Sequence, residues 1–134
     1  MIKMVCLDTS VLIALLRNEG DAMNKLRAEA AKGTRISTTP INLCELYAGA
    51  YASRNRAKEL KKVRGLQDSM NILEFHAEAC RRYGELANNP ALREKPVGDF
   101  DLIIASIAIS HNEPLATRKI EHFQRIPELI VEFW

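Results

Sequence analysis

The sequence predicts an α/β protein, a three-layer α/β/α sandwich around a mostly parallel central sheet. Three observations carry that prediction. Short apolar or β-branched runs alternate with longer helical patterns along the whole chain. The first run, Val5-Cys6-Leu7, shows no alternation of polarity, as expected for an interior strand covered on both faces. The stretch from Leu102 to Ile109 is apolar nearly all round, which suits a helix buried inside such a sandwich.

The first strand runs straight into Asp8, and Thr9 or Ser10 can cap a helix through Val11, Leu12, Leu15 and Leu16. Gly20 punctuates. A second helix places Ala22, Met23, Leu26 and Ala30 on one side and Lys25, Arg27, Glu29 and Lys32 mostly on the other, and Gly33 ends it. Arg35 to Thr38 is a short strand. Thr39-Pro40 reads as an N-cap with proline in the first turn, opening a helix from Ile41 to about Ala52. A basic helix runs from about Asn55 to Gln67, Met70 to Phe75 is a strand, and His76 to Leu86 is helical. Asn88 to Val97, with Pro90 and Pro96, is a loop too short to link domains. The buried helix from Gly98 to Ile109 follows. Then come a strand at Pro114 to Thr117, a helical turn at Ile120 to Gln124 and a last edge strand at Ile130 to Phe133.

A length of 134 residues suits one domain, residues 1–134, with a sizeable core. No apolar run is long enough to span a membrane and no signal-peptide pattern opens the chain, so a cytoplasmic protein without membrane contact is expected. Cys6, Cys44 and Cys80 are odd in number and form no CxxC pair. They suggest neither a disulfide framework nor a zinc site, and read as small buried hydrophobes. The net charge of +2 does not by itself argue for nucleic acid. Its distribution says more: six of the 19 basic residues (Arg54, Arg56, Lys58, Lys61, Lys62 and Arg64) lie between positions 53 and 64, with Glu59 the only acid among them. Such a cluster can track phosphates or be a solvated helix face.

Three acids sit in apolar surroundings. Asp8 ends the interior strand, where open α/β sheets place their ligands. Glu45 has Ile41, Ala48, Gly49 and Ala52 as helical neighbours, and the small ones leave space over its carboxylate. Asp101, with Asp99 two residues earlier, starts the buried helix. Each has a plain structural explanation as a cap, a solvated helix residue or a dipole partner. Gathered together, however, they would repel one another and drift toward protonation. A hard divalent cation removes that conflict. Oxygen-only ligation suits Mg²⁺ or Mn²⁺, and phosphodiester hydrolysis is the natural chemistry. His76, His111 and His122 lie at no ligand spacing with one another or with cysteine.

Leu7-Asp8-Thr9-Ser10, Cys44-Glu45-Leu46-Tyr47-Ala48-Gly49-Ala50 and Gly98-Asp99-Phe100-Asp101-Leu102-Ile103-Ile104-Ala105-Ser106-Ile107-Ala108 resemble the three motifs of the PIN domain. The tail from Pro114 to Pro127 is also similar, and the match is best to VapC-type ribonuclease toxins of type II toxin–antitoxin pairs. The resemblance implies a PIN-like fold and a Mg²⁺- or Mn²⁺-dependent endoribonuclease. In it Asp8, Glu45 and Asp101 act as catalytic metal-binding acids, and Ser10 and Thr117 orient them. The family's fourth acid often falls where this chain has Lys119. Asp99 is taken as its substitute, with Glu121 or a three-acid site as alternatives. Lys119 could lower metal affinity or grip the scissile phosphate with Arg118. Arg54, Arg56, Lys61, Arg118 and Lys119 are the candidates for holding the RNA backbone. His122 matches a family position, where packing or a hydrogen bond to a ligand is expected. The resemblance also implies a homodimer and a cognate antitoxin lying over the site, with Leu12, Leu15, Leu16 and Leu46 available to either contact. Two rivals remain. One is a non-catalytic RNA-binding or protein-interaction module on the same fold, disabled at position 119. The other is a phosphoacceptor receiver domain, which lacks its central-strand aspartate because neither Thr38 nor His76 supplies one.

Overall fold

Strand β1 (Met4–Leu7) sits at the centre of the molecule because its side chains are wanted on both faces. In the computed structural model, which describes Met1–Trp134, Cys6 packs into one apolar cluster and Val5 and Leu7 into another, all fully buried. Helices α1 (Thr9–Leu16) and α2 (Gly20–Ala31) lead to β2 (Arg35–Thr38). Helices α3 (Pro40–Ala52) and α4 (Arg56–Asp68) lead to β3 (Asn71–Ile72). Helices α5 (Ala77–Ala87), α6 (Pro90–Glu94) and α7 (Asp99–Ser110) then precede β4 (Leu115–Thr117), and α8 (Ile120–Phe123) precedes β5 (Val131–Phe133). The five strands lie in the order β3-β2-β1-β4-β5 and every neighbouring pair is parallel. The sheet is therefore wholly rather than mostly parallel, and each crossover carries helices.

The two faces have separate cores. Leu86, Leu92, Leu102, Ile104, Ile107 and Phe123 cover the Cys6 and Leu115 side. Val11, Leu12, Leu15, Leu46, Val63 and Trp134 cover the Val5, Leu7 and Ala116 side. Three layers follow directly. Thr39 caps α3 through a capping box with Asn42, and Pro40 occupies the first turn as the sequence implies.

Four expectations change. The interval from Asn88 to Val97 is not wholly irregular: Asn89 accepts hydrogen bonds from the backbone N–H groups of Ala91 and Leu92, and Pro90 starts α6 instead of breaking it. The third strand pairs only over Asn71–Ile72, and Glu74 and Phe75 are exposed beyond it. Cys6 is buried, but Cys44 and Cys80 lie on exposed helix positions. On α2, Ala30 faces solvent and Glu29 is the buried residue.

Glu29 is buried at no exposed area because three lysines and a threonine close around it. Lys3 lies 3.1 Å from Oε1, Lys32 and Lys25 lie 3.3 and 3.7 Å from Oε2, and the Thr34 hydroxyl donates to Oε1 at 2.9 Å. The hydrogen bond from Lys3, with those from Thr34 and Lys32, holds the carboxyl at a pKa of about 2. A lowered pKa contributes stability that is complete above the ordinary carboxyl range and is lost as pH falls toward about 2. Because the lysines are solvent-screened, Glu29→Gln is expected to cost on the order of 1–3 kcal/mol at pH 7. Urea denaturation at stepped pH should show the gap to wild type narrowing below about pH 4.5. A gap that stays constant down to pH 3 contradicts this account.

Candidate active site

All of the carboxyl ends of a parallel sheet lie on one side, and that side collects the predicted residues. Asp8 follows β1, and its backbone N–H donates to the Ala116 carbonyl of β4 at 2.9 Å. Its Oδ2 accepts from the Ser10 hydroxyl and the Thr117 hydroxyl, each at 2.9 Å. Ser10 Oγ in turn accepts from the Arg118 N–H at 3.0 Å, and Thr117 Oγ1 from the Lys119 N–H at 3.0 Å. Each hydroxyl thus has its proton aimed at Asp8 by a backbone donor behind it. The cap of α1 is Asp8 itself, accepting weakly from the Ser10 N–H at 3.4 Å, and not Thr9 or Ser10. Asp8 is fully buried, yet Oδ1 has no hydrogen-bond partner.

Thr9 takes a different part. Its hydroxyl donates to Glu45 Oε1 at 2.6 Å and accepts from Asn42 Nδ2 at 2.9 Å. Asn42 is buried and held by Thr39, whose N–H and hydroxyl both reach Asn42 Oδ1. The capping box of α3 therefore orients the first-turn amide toward Thr9 and, through it, Glu45. Sequence reasoning missed Asn42. Its signal was Thr39-Pro40-Ile41-Asn42, a cap motif whose partner is the shorter Asn in place of the usual Glu or Gln. Glu45 also opens onto a groove of ≈ 380 Å³ lined by Ile13, Leu16, Leu46, Gly49 and Val63, so the small residues do leave room beside it.

Asp101 sits in the first turn of α7, which begins at Gly98 with φ of +104°. Only glycine adopts that conformation without strain. Asp101 Oδ2 faces Lys119 Nζ at 3.1 Å and His122 Nε2 at 2.8 Å. The His122 ring stands edge-on to Phe123, so this histidine packs and hydrogen-bonds as the family position suggests. Asp99 turns elsewhere. Tyr83 Oη donates to its Oδ1 at 3.1 Å, raising the phenol's pKa, and Asp99 lines a separate cavity with Leu86 and Leu92. Asp99 is thus grouped with α5 and not with Lys119 and His122.

Among the basic candidates, Arg118 is committed. Its Nε donates to the Trp134 carbonyl at 3.0 Å and its Nη1 pairs with Glu19 at 3.1 Å. On α4, Lys62 and Arg64 have acidic neighbours at 3.9 and 3.7 Å, and Arg56 lies over the exposed Tyr51 ring. Arg54, Lys58 and Lys61 are exposed. Leu12 and Leu15 are buried in the core of this single chain and are closed to partners, whereas Leu16 and Leu46 border the groove.

No three His, Cys, Asp or Glu side chains are gathered closely enough to cage an ion unaided. Asp8, Glu45 and Asp101 are nevertheless linked through shared residues: Thr9, the next residue after Asp8, donates to Glu45, and Lys119 bonds Thr117 through its backbone and Asp101 through its ammonium. The idle Oδ1 of Asp8 is the observation that tests a cation against this site. A buried carboxylate oxygen without a donor is costly unless a positive charge uses it. An all-oxygen donor set fits Mg²⁺, a hard cation that takes carboxylate ligands.

A parallel α/β sheet with hydroxyl-braced acids at its carboxyl end defines the class: a compact α/β protein with a carboxylate site. The comparisons narrow it. The chain belongs to the PIN domain family, whose model matches residues 5–129. It is similar to Ribonuclease VapC1 of Haemophilus influenzae, 30% identical over 128 residues and 96% of both chains. It is also similar to the tRNA(fMet)-specific endonuclease VapC of Shigella flexneri, 28% identical over 96% of both. VapBC2 from Rickettsia felis, solved bound to a promoter DNA fragment, superposes with a TM-score of 0.90 at 31% identity over 98% of each chain.

The bracing of Asp8 makes a measurable prediction. Thr117→Val keeps the shape but removes one donor from a buried carboxylate, and is expected to cost about 1–3 kcal/mol in urea unfolding. An unchanged midpoint shows that the hydroxyl contributes nothing.

Proposed function

We propose that this chain is a Mg²⁺- or Mn²⁺-dependent endoribonuclease, the RNA-cleaving toxin of a type II toxin–antitoxin pair, working in the cytoplasm. The idle buried oxygen of Asp8 carries the reading. Asp8, Glu45 and Asp101 would hold the ion directly or through waters, and Asp99 would join them only by leaving Tyr83. When bound, the ion lowers the pKa of a water and offsets charge developing on the phosphate. Ser10 and Thr117 fix the direction of the Asp8 carboxylate. Thr9 does the same for Glu45.

The substrate side is basic. Arg54, Arg56, Lys58 and Lys61 on and before α4, with Lys119 at the site, supply cations for a phosphate backbone, which brings affinity with little sequence choice. Arg118 joins them only by leaving Glu19 and Trp134. A structured RNA suits this reading, since one relative is named for a tRNA. The groove beside Glu45, apolar along Ile13, Leu16, Leu46 and Val63, suits a segment of the cognate antitoxin. A homodimer completes the reading, and a mass of one chain at high concentration in light scattering removes that part. No helix is long and apolar enough to cross a membrane.

The Lys119–Asp101 pair favours one other reading, a binding module on the same fold with a disabled site. Cleavage of a mixed RNA pool decides between them. The wild-type chain should cut with Mn²⁺ and stop with EDTA. Asp8→Asn should lose at least a hundredfold in rate with its thermal midpoint preserved. Equal cutting by purified Asp8→Asn ends the proposal, and RNA binding without any cutting selects the module. A triple Arg54→Ala, Lys58→Ala, Lys61→Ala variant should bind RNA more weakly at all sequences, with a salt slope flatter by about two. An unaltered slope places the RNA elsewhere.

A further inference from the structure

Resting on that metal-dependent reading, we propose that Lys119 is this chain's own second cation, so that the site takes up one divalent ion and not two. The charges of the site are divided unevenly. Asp8 is oriented by hydroxyls and backbone N–H groups, and Glu45 by the Thr9 hydroxyl. These donors are neutral: they fix direction and leave the negative charge in place. Asp101 is treated differently. One of its oxygens faces an ammonium at 3.1 Å and an imidazole nitrogen at 2.8 Å, with the side chain 15% exposed. An ammonium at that distance, itself 45% exposed, offsets part of the carboxylate charge.

Lys119 is placed there by the fold. Its N–H is tied to Thr117 Oγ1 at 3.0 Å, the same hydroxyl that donates to Asp8. Its Nζ stands 5.3 Å from the centroid of Phe123, a fully buried ring that anchors α8. The ammonium is thereby held between the core and Asp101. Arg118, the neighbouring cation, is spent on Glu19 and Trp134 and does not compete for this place. A second divalent ion lodged against Asp101 would have to displace Lys119 or lie against a like charge. An ion seated on Asp8 meets an oxygen that nothing else uses. The ammonium also takes the electrostatic part of a second cation toward an incoming phosphate. It cannot activate a water, which leaves that task to the single ion.

Manganese binding to the full chain tests this without reference to turnover, by isothermal calorimetry and by the loss of free-Mn²⁺ signal in paramagnetic resonance. Wild type should bind one Mn²⁺ per chain. Lys119→Met should take up a second ion or hold the first at least tenfold tighter, and Lys119→Arg, which keeps the charge, should stay at one. Two ions on wild type overturn the inference and leave the nuclease reading intact. So does a Lys119→Met variant, folded by its thermal melt, with unchanged stoichiometry and affinity. No Mn²⁺ on wild type at any concentration overturns the metal-dependent reading itself, and the inference with it.

Discussion

The whole arrangement depends on a carboxylate placed at the buried end of an interior strand. Asp8 cannot be solvated by water, so the fold must bring donors to it. The topology does this at one stroke. Because β1 and β4 are parallel neighbours, their carboxyl ends lie together, and Ser10 and Thr117 meet on the same Asp8 oxygen although 107 positions separate them. Parallel pairing needs crossovers, and the crossovers are the helices that bring Glu45 and Asp101 to the same side of the sheet. The site is therefore a consequence of sheet topology more than of any local motif.

Within that site, donor chemistry sorts the acids. Hydroxyls and amides hold Asp8 and Glu45, so their negative potential survives where a cation or a developing charge can use it. An ammonium and an imidazole hold Asp101, which restrains its position and, through the ammonium, offsets part of its charge. The asymmetry follows from which element each acid meets. Asp8 and Glu45 face the polar starts of α1 and α3, rich in Thr, Ser and Asn. Asp101 faces the residues after β4, where Lys119 and His122 stand. Helix α4 meets the groove beside Glu45 through Lys62 and the acidic Glu59.

Much of this was legible in the sequence because it depends on short-range pattern. The unbroken Val5-Cys6-Leu7 run gave a central strand, the apolar 102–109 stretch a buried helix, and Thr39-Pro40 a helix start. Asp8 stood out as an acid at a strand end, the family resemblance added Ser10 and Thr117, and the structure joins the three. What was not legible depends on tertiary partners. Helical periodicity put Ala30 inward and Glu29 outward, because no local rule counts Lys3 arriving from the chain start. Proline at position 90 read as a breaker, because only the Asn89 side chain shows that a helix begins there. Asn42 drew no attention in the sequence, and Asp99, taken as a substitute for the fourth acid, is instead bonded by Tyr83, while Lys119 meets Asp101.

Glu29 supplies the internal standard by which Asp8 is judged. Both are carboxylates without exposed surface in the same small protein. Around Glu29 the fold leaves neither oxygen idle: Lys3 and Thr34 meet one, Lys25 and Lys32 the other, and the group titrates at about 2. That is what a buried acid looks like here when its only task is to hold elements together. Asp8 has no cation, and its two hydroxyl donors crowd onto Oδ2 while Oδ1 has nothing. If stability alone governed this position, an amide or a second donor would serve better. Of the three buried carboxylates, Glu29 is fully satisfied while Asp8 and Glu113 each keep one idle oxygen. Of those two only Asp8 stands at the carboxyl end of a strand, where parallel α/β sheets hold their ligands. The unmet oxygen is therefore best explained by something that binds it.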